Sequence, residues 1–268
     1  MRANFPAFLL AISASCAGLL AARQTPSGAT AQPQAANLLA QSLAALNGTV
    51  AVGDVTLTGT AERVAGSDIE TGTAVYSAVP SANRLDLSLS GKSYSEIHTL
   101  DANGPGGVWI GPDGATDVIS SHNLLADTGL FPVFTVARLL STPNCMLTYV
   151  GLERKNGISV IHIQSSQQAI TSTAFSALTW QHLTHLDIYF DASTLLPAEL
   201  DFNIHPDNNA LLDIPEEIVF SDYRTVGSLT IPFHVQQSRN GSLFLDLQFQ
   251  QASINSGLSS NSAIFTIQ

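Results

Sequence analysis

Apolar and polar residues alternate along the last third of the chain, which predicts antiparallel β-strands there. Three alternating segments span residues 183–200, 217–235 and 242–254. Val226-Gly227-Ser228 and Arg239-Asn240-Gly241 have the composition of hairpin turns, and Pro197 stands where a strand begins. This block therefore predicts an antiparallel β-fold, but it does not identify a reaction.

The same alternation continues upstream. Leu85, Leu87 and Leu89 share one face of a predicted strand, and the residues between them are polar. This pattern is typical of an antiparallel sheet with one buried and one solvent-exposed face. Lys155-Asn156-Gly157 predicts a hairpin turn. The further strands are predicted at 54–64, 71–79, 83–90, 94–100, 107–110, 146–154 and 158–164. Residues 165–180 are polar and predict a loop with one helical turn.

Helical spacing occurs in two places. In residues 35–46, Leu39, Leu43 and Leu46 belong to one apolar face, which predicts a helix after a short disordered leader at 32–34. Residues 122–140 are apolar with helical spacing and predict two short helices, 122–127 and 132–140, with Pro132 in the first turn of the second.

These elements predict an α+β fold that is mainly antiparallel β. A sheet of ten or more strands tends to curl or close, and its apolar face needs a cover. We therefore expect a strongly curved sheet or half-open β-barrel, with a few helices plugging the concave face. No linker or repeat divides the chain, so a single domain is predicted over 32–268.

The first 31 residues predict a secretory signal peptide. Arg2 precedes an apolar run at 5–22, and Ala29-Thr30-Ala31 is a small-residue cleavage site. Export to the periplasm or cell envelope follows. Two alternatives are that the apolar run anchors the protein in the membrane and that Cys16 carries a lipid. Removal of the leader leaves Cys145, which cannot form an intramolecular disulfide.

Charge excludes one class of partner. The net charge is −11 and only 12% of residues are charged, so phosphate backbones would be repelled and nucleic acid is not expected as a partner. The sequence also predicts no catalytic site, metal site or cofactor. His182 and His185 lead into a strand and would face opposite sides. No G-x-S-x-G motif occurs, and Asp213, Glu216 and Glu217 fit a solvated loop.

The C-terminal block resembles the LolA-like, periplasmic lipoprotein-carrier superfamily. The matching residues are Asp191 followed by Leu196-Pro197, and Asp222-Tyr223-Arg224 followed by Gly227, Ile231 and Pro232. Over residues 35–182 only the order of elements agrees. The resemblance implies a half-open β-barrel closed by helices, whose members bind lipids or acylated partners in a hydrophobic concavity.

The expected function is that of an exported, non-enzymatic binding protein for a lipid, another hydrophobic ligand or a lipidated protein. The alternative is an interaction or regulatory module with a filled core that acts on an envelope protein. Aromatic residues are candidates for lining the cavity, with Trp109, Phe131 and Phe134 the first choices and Tyr149, Trp180 and Phe190 further ones. A pocket of roughly 300–1,000 Å³ would favour ligand binding.

Overall fold

The structure is a computed structural model that describes residues 28–48, 50–126, 128–168 and 174–267. Thirteen strands and three α-helices make up most of it. The helices are α1 (Gly28–Asn47), α2 (Pro132–Ser141) and α3 (Ala174–Leu183). The strands are β1 (Val55–Ala65), β2 (Asp68–Val79), β3 (Ala82–Leu89), β4 (Lys92–Asp101), β5 (Gly104–Ile110), β6 (Thr116–Val118), β7 (Cys145–Lys155), β8 (Ile158–Gln167), β9 (Leu186–Asp191), β10 (Pro197–Ile204), β11 (Ile214–Val226), β12 (Leu229–Arg239) and β13 (Ser242–Ile254).

All thirteen strands form one antiparallel sheet in the order β6-β5-β4-β3-β2-β1-β13-β12-β11-β10-β9-β8-β7. Two meanders, β1–β6 and β7–β13, meet where β1 pairs with β13. Across the described residues, the two edge strands β6 and β7 do not pair with each other, so the sheet stays open. The prediction of a mainly antiparallel, curved and unclosed sheet is confirmed.

The connection between the two meanders explains how the helices cover the sheet. β6 and β7 lie at opposite edges, so the chain between them must cross from one edge to the other. It does so through a 3₁₀ turn at Ser121–Leu124 and then α2. Helix α1 packs against α2, β7 and β12. Helices and sheet share one core, to which Leu39, Phe131 and Val136 contribute.

The alternation predicted from the sequence matches the observed faces. Leu85, Leu87 and Leu89 are buried on the concave side of β3. Helix α1 buries Leu39 and Leu46 on one face. At the β7–β8 hairpin, Lys155 pairs with Ile158 around Asn156 and Gly157, both at positive φ, as a two-residue turn of this kind requires.

Three local expectations are wrong. Residues 32–34 belong to α1, because the alanine-rich segment continues the helix through Pro33. The stretch 165–180 is not mainly loop: β8 extends to Gln167 and α3 begins at Ala174. Glu216 and Glu217 lie in β11, where Glu216 is buried, instead of in a solvated loop.

Most of the predicted leader, including Cys16, lies outside the described residues. Helix α1 already begins at Gly28, four positions before the predicted cleavage point. Within the described ranges, no helix combines the length and apolar character needed to cross a membrane. The leader and the single domain at 32–268 stay predictions.

Candidate ligand-binding cavity

The concave face of the sheet lines a partly open cavity of about 470 Å³. Trp109 on β5 and Phe202 on β10 both line it, although their strands lie near opposite ends of the sheet order. Two such distant strands can share a cavity only because the sheet curls around it. The volume falls within the roughly 300–1,000 Å³ typical of ligand pockets.

The interior of the cavity is mainly aromatic and aliphatic. Inward-facing residues of the strands supply its walls, and the segment between β6 and α2 covers one side. The apolar residues that line it are Val64, Ala65, Tyr76, Leu85, Trp109, Ile119, Leu124, Leu130, Phe202, Ile204, Ile218 and Phe244. Such a lining favours an apolar ligand by removing its surface from water.

Charged side chains also line the cavity, and two of them are arginines. Arg63 lies 2.8 Å from Glu70 and stacks over the ring of Tyr94. Arg239 lies 3.0 Å from the buried Glu216 and stacks over Phe244. Each guanidinium is thus held in place by a carboxylate and an aromatic ring while remaining partly exposed.

Hydrogen bonds fix the covering segment to both halves of the sheet. The hydroxyl of Tyr76 on β2 accepts a hydrogen bond from the backbone N–H of Leu130 at 2.9 Å. The side chain of Asn123 exchanges two hydrogen bonds with the backbone of His205, at 2.7 and 2.8 Å. Because Tyr76, Asn123 and Leu130 themselves line the cavity, these bonds set its shape.

The three first-choice aromatic residues divide between two spaces. Trp109 lines the main cavity. Phe131 and Phe134 line a small adjoining hollow of about 70 Å³ and pack edge to face, with ring centres 5.0 Å apart. Both spaces share Tyr76, Leu124 and Gly129. Their role in ligand binding stays a prediction.

The other aromatic candidates lie elsewhere. Phe190 is buried in the core, Tyr149 packs against that core, and Trp180 lies on α3; none of them lines the main cavity. Sequence reasoning missed Tyr76, Phe202 and most of the remaining lining. Strand alternation indicates that such residues face inward, but it does not indicate which strands meet across the cavity.

A polar cluster lies on the face of β7, β8, β9 and β10 that points away from the cavity, because successive residues along a strand point to opposite sides. His162 lies 2.9 Å from Glu153 and 2.6 Å from Asp187, and its ring stacks on Tyr189. The other side of the Tyr189 ring faces the Lys155 ammonium at 3.8 Å.

Lys155 joins two acidic residues of β10. Its Nζ contacts Asp201 and lies 2.6 Å from Glu199, which also accepts a hydrogen bond from the Asn156 amide at 2.9 Å. Burial raises the pKa of Glu199 to about 7, and the charge of Asp201 adds to this against the opposing effect of Lys155.

The pKa values of two further groups in this cluster, His162 and Tyr189, are also shifted. Burial opposes the charged imidazolium of His162, but hydrogen bonds to Asp187 and Glu153 outweigh it and raise the pKa. Burial also raises the pKa of Tyr189 to about 12. The contacts within this cluster connect the β7–β8 hairpin to β9 and β10 on the face away from the cavity.

Comparison with known proteins gives the fold. No family model and no curated protein matches the sequence. A crystal structure described as an outer membrane lipoprotein-sorting protein domain from Vibrio parahaemolyticus matches with a TM-score of 0.53 at 14% identity, over 86% of this chain and 96% of that one. A DUF1329 family protein from Desulfovibrio piger matches with a TM-score of 0.52 at 13% identity, over 88% and 97%.

A LolA superfamily protein from Nitrosomonas europaea also aligns, with a TM-score of 0.46 at 11% identity over 87% of this chain and 97% of that one. At such identities the similarity concerns the fold alone. The open antiparallel sheet, the helices that cover it and the cavity on its concave face agree with the fold expected from the C-terminal motifs. The chain has a LolA-like fold.

Proposed function

We propose that this protein is exported to the bacterial cell envelope and binds an apolar ligand, the acyl chain of a lipid or of an acylated protein, in its concave cavity. The observation that carries the proposal is the cavity itself: about 470 Å³, lined largely by aromatic and aliphatic side chains. A packed interior would instead have favoured the filled-core interaction module.

The charges of the cavity suggest how such a ligand would be oriented. An acyl chain would occupy the apolar walls around Trp109 and Phe202, and an anionic headgroup would meet the partly exposed guanidinium groups of Arg63 and Arg239. The LolA-like fold supports this assignment, since the matched domain from Vibrio parahaemolyticus is described as lipoprotein-sorting. No step of this function requires a catalytic residue.

The two tryptophans of the chain allow a direct test. Trp109 lines the cavity, whereas Trp180 lies on α3 outside it. Trp180→Phe leaves Trp109 as the single indole fluorophore, and Trp109→Phe is the matched control. Addition of a fatty acid should shift the emission of Trp180→Phe to shorter wavelength, because the ligand displaces water from the indole, and should leave Trp109→Phe unchanged.

Native mass spectrometry of protein expressed with its leader should detect a co-purified lipid. The proposal fails if no lipid co-purifies and a fluorescent fatty acid does not bind. It also fails if both tryptophan variants respond alike, because binding would then lie outside the cavity.

A further inference from the structure

Two histidines and an aspartate that are distant in sequence meet beside the cavity. His182 lies in the last turn of α3, His205 directly follows β10, and Asp213 directly precedes β11. Their nitrogen and oxygen ligand atoms all lie within 4.8 Å of one another. The folding of the second meander brings these three positions together.

The individual distances are close to those of a metal site. His182 Nε2 lies 2.9 Å and His205 Nε2 lies 3.2 Å from the same oxygen, Asp213 Oδ1. With metal–ligand bonds of about 2.0–2.1 Å, a tetrahedral zinc ion holds neighbouring ligand atoms roughly 3.3 Å apart. These two separations from Asp213 Oδ1 therefore need to change by only a few tenths of an ångström to hold an ion, and the ligand nitrogens of the two histidines lie within 4.8 Å of each other.

The histidine nitrogens are poorly satisfied as they stand. The side chain of His205 is only 1% exposed, and within the described residues neither of its ring nitrogens makes an aligned hydrogen bond. The buried Nε2 of His182 lacks one as well, despite its short distance to Asp213. The contacts to Asp213 therefore leave these nitrogens only partly satisfied, and a buried polar atom without a well-aligned partner costs free energy.

One further observation fits a bound cation. The ring of His122 stands edge-on to that of His205, with ring centres 5.9 Å apart, and its buried Nε2 also lacks an aligned hydrogen bond. Three imidazoles and a carboxylate thus share one small region.

We propose that His182, His205 and Asp213 form a Zn²⁺ site with an open fourth position, beside which His122 lies. Two imidazoles and a carboxylate are ligands that zinc accepts, and three protein ligands leave one position free. The ion would join α3, the end of β10 and the β10–β11 loop. The backbone of His205 already bonds Asn123 of the covering segment, so the site would also hold that segment beside the cavity.

Zn²⁺ binding to the full chain can be measured by calorimetric titration and by metal analysis after dialysis. Wild-type protein should retain one zinc per chain. Asp213→Asn and His182→Gln should weaken binding by about tenfold or more. Asp213 is 42% exposed, so its replacement should not endanger folding. His185→Gln is the matched control, because His185 bonds Asp187 and stands apart from the three ligands.

Thermal unfolding gives a second measurement of zinc binding, since an ion that binds only the folded state raises the melting temperature. Zinc should raise it for wild type and His185→Gln and should have little effect on Asp213→Asn. The proposal is overturned if wild type retains no zinc after dialysis. It is equally overturned if Asp213→Asn and His182→Gln bind zinc as tightly as His185→Gln.

Discussion

Glu199 is a carboxyl group that the sheet buries beside a second carboxyl group and one lysine. Only 3% of its surface is exposed, and Lys155 is shared with Asp201. One cation between two carboxylates cannot offset both charges in a buried place, so the pKa of Glu199 rises. The sequence around Glu199 did not indicate that its carboxyl group would be buried.

The raised pKa of Glu199 predicts that stability falls as the pH rises. Between its ordinary value of 4.5 and its folded value of about 7, the folded state binds more protons at this site than the unfolded state. His162 acts in the same direction: its contribution is complete below 6.5 and is lost as the pH rises through its raised pKa. Glu199 and His162 should therefore lower the unfolding free energy from about pH 5 to pH 8, against an opposite contribution below pH 6.5 from His205, whose pKa burial lowers.

Glu199→Gln should reduce that decrease by roughly 1–3 kcal/mol, because the amide cannot ionise. Urea unfolding at several pH values measures this pH dependence of the unfolding free energy. Glu62→Gln, at an exposed position of β1, serves as the control and should follow the wild type. A decrease of wild-type size in Glu199→Gln would show that Glu199 does not carry the effect.

At the scale of single elements, α2 shows how one short helix packs into the core beside the cavity. It begins at Pro132, directly after the buried Phe131, and buries Val133, Val136 and Leu139. The helix lies on the connection that must carry the chain from β6 at one edge of the sheet to β7 at the other. The helical spacing and the proline allowed the element to be predicted, with an end one residue short of the observed one.

Phe131→Ala should lower the unfolding free energy by about 3–5 kcal/mol, because it removes a core side chain that is only 1% exposed. Phe134→Ala is the matched comparison. Phe134 is half-buried in the first turn of α2, so the loss of unfolding free energy should be smaller. Urea unfolding measures both. Unchanged stability of Phe131→Ala, together with altered ligand uptake, would instead mark Phe131 as cavity lining.

At the scale of the whole molecule, two glycines on the concave face permit close approach of neighbouring strands. A Cβ atom on Gly59 would collide with the carbonyl oxygen of Gln248, and one on Gly72 with that of Ser88. The register between β1 and β13 shifts at Gly59, as at a β-bulge. Glycines and bulges are the usual means by which a sheet bends sharply.

Gly59→Ala and Gly72→Ala should therefore each destabilise the protein by about 1–3 kcal/mol, because the backbone must move to admit the methyl group. Both should also weaken fatty-acid binding, since the curvature shapes the cavity. Gly53→Ala is the control, because its nearest neighbour would lie at an ordinary 3.5 Å. If stability and binding matched those of Gly53→Ala, curvature would not depend on these glycines.

The elements of this fold were largely readable from the sequence, whereas the sites were not. Alternation placed Leu85, Leu87 and Leu89 on the buried face. The histidines appeared unrelated because His182, His205 and Asp213 belong to different elements. Glu216 appeared solvated because its partner, Arg239, comes from the neighbouring strand. A local pattern predicts strands and turns, but it does not show which side chains meet across paired strands or between distant elements.

The sequence by itself determined most of the strands, their buried faces, several hairpin turns and the helices α1 and α2, because these depend on local spacing and turn chemistry. The motifs around Pro197 and Pro232 also indicated the LolA-like fold. Only the tertiary structure decided that Trp109 and Phe202 share a cavity, that Lys155 joins two carboxylates, and that two histidines meet Asp213. Those arrangements arise from the curvature and strand order of the sheet, which bring distant residues within contact distance.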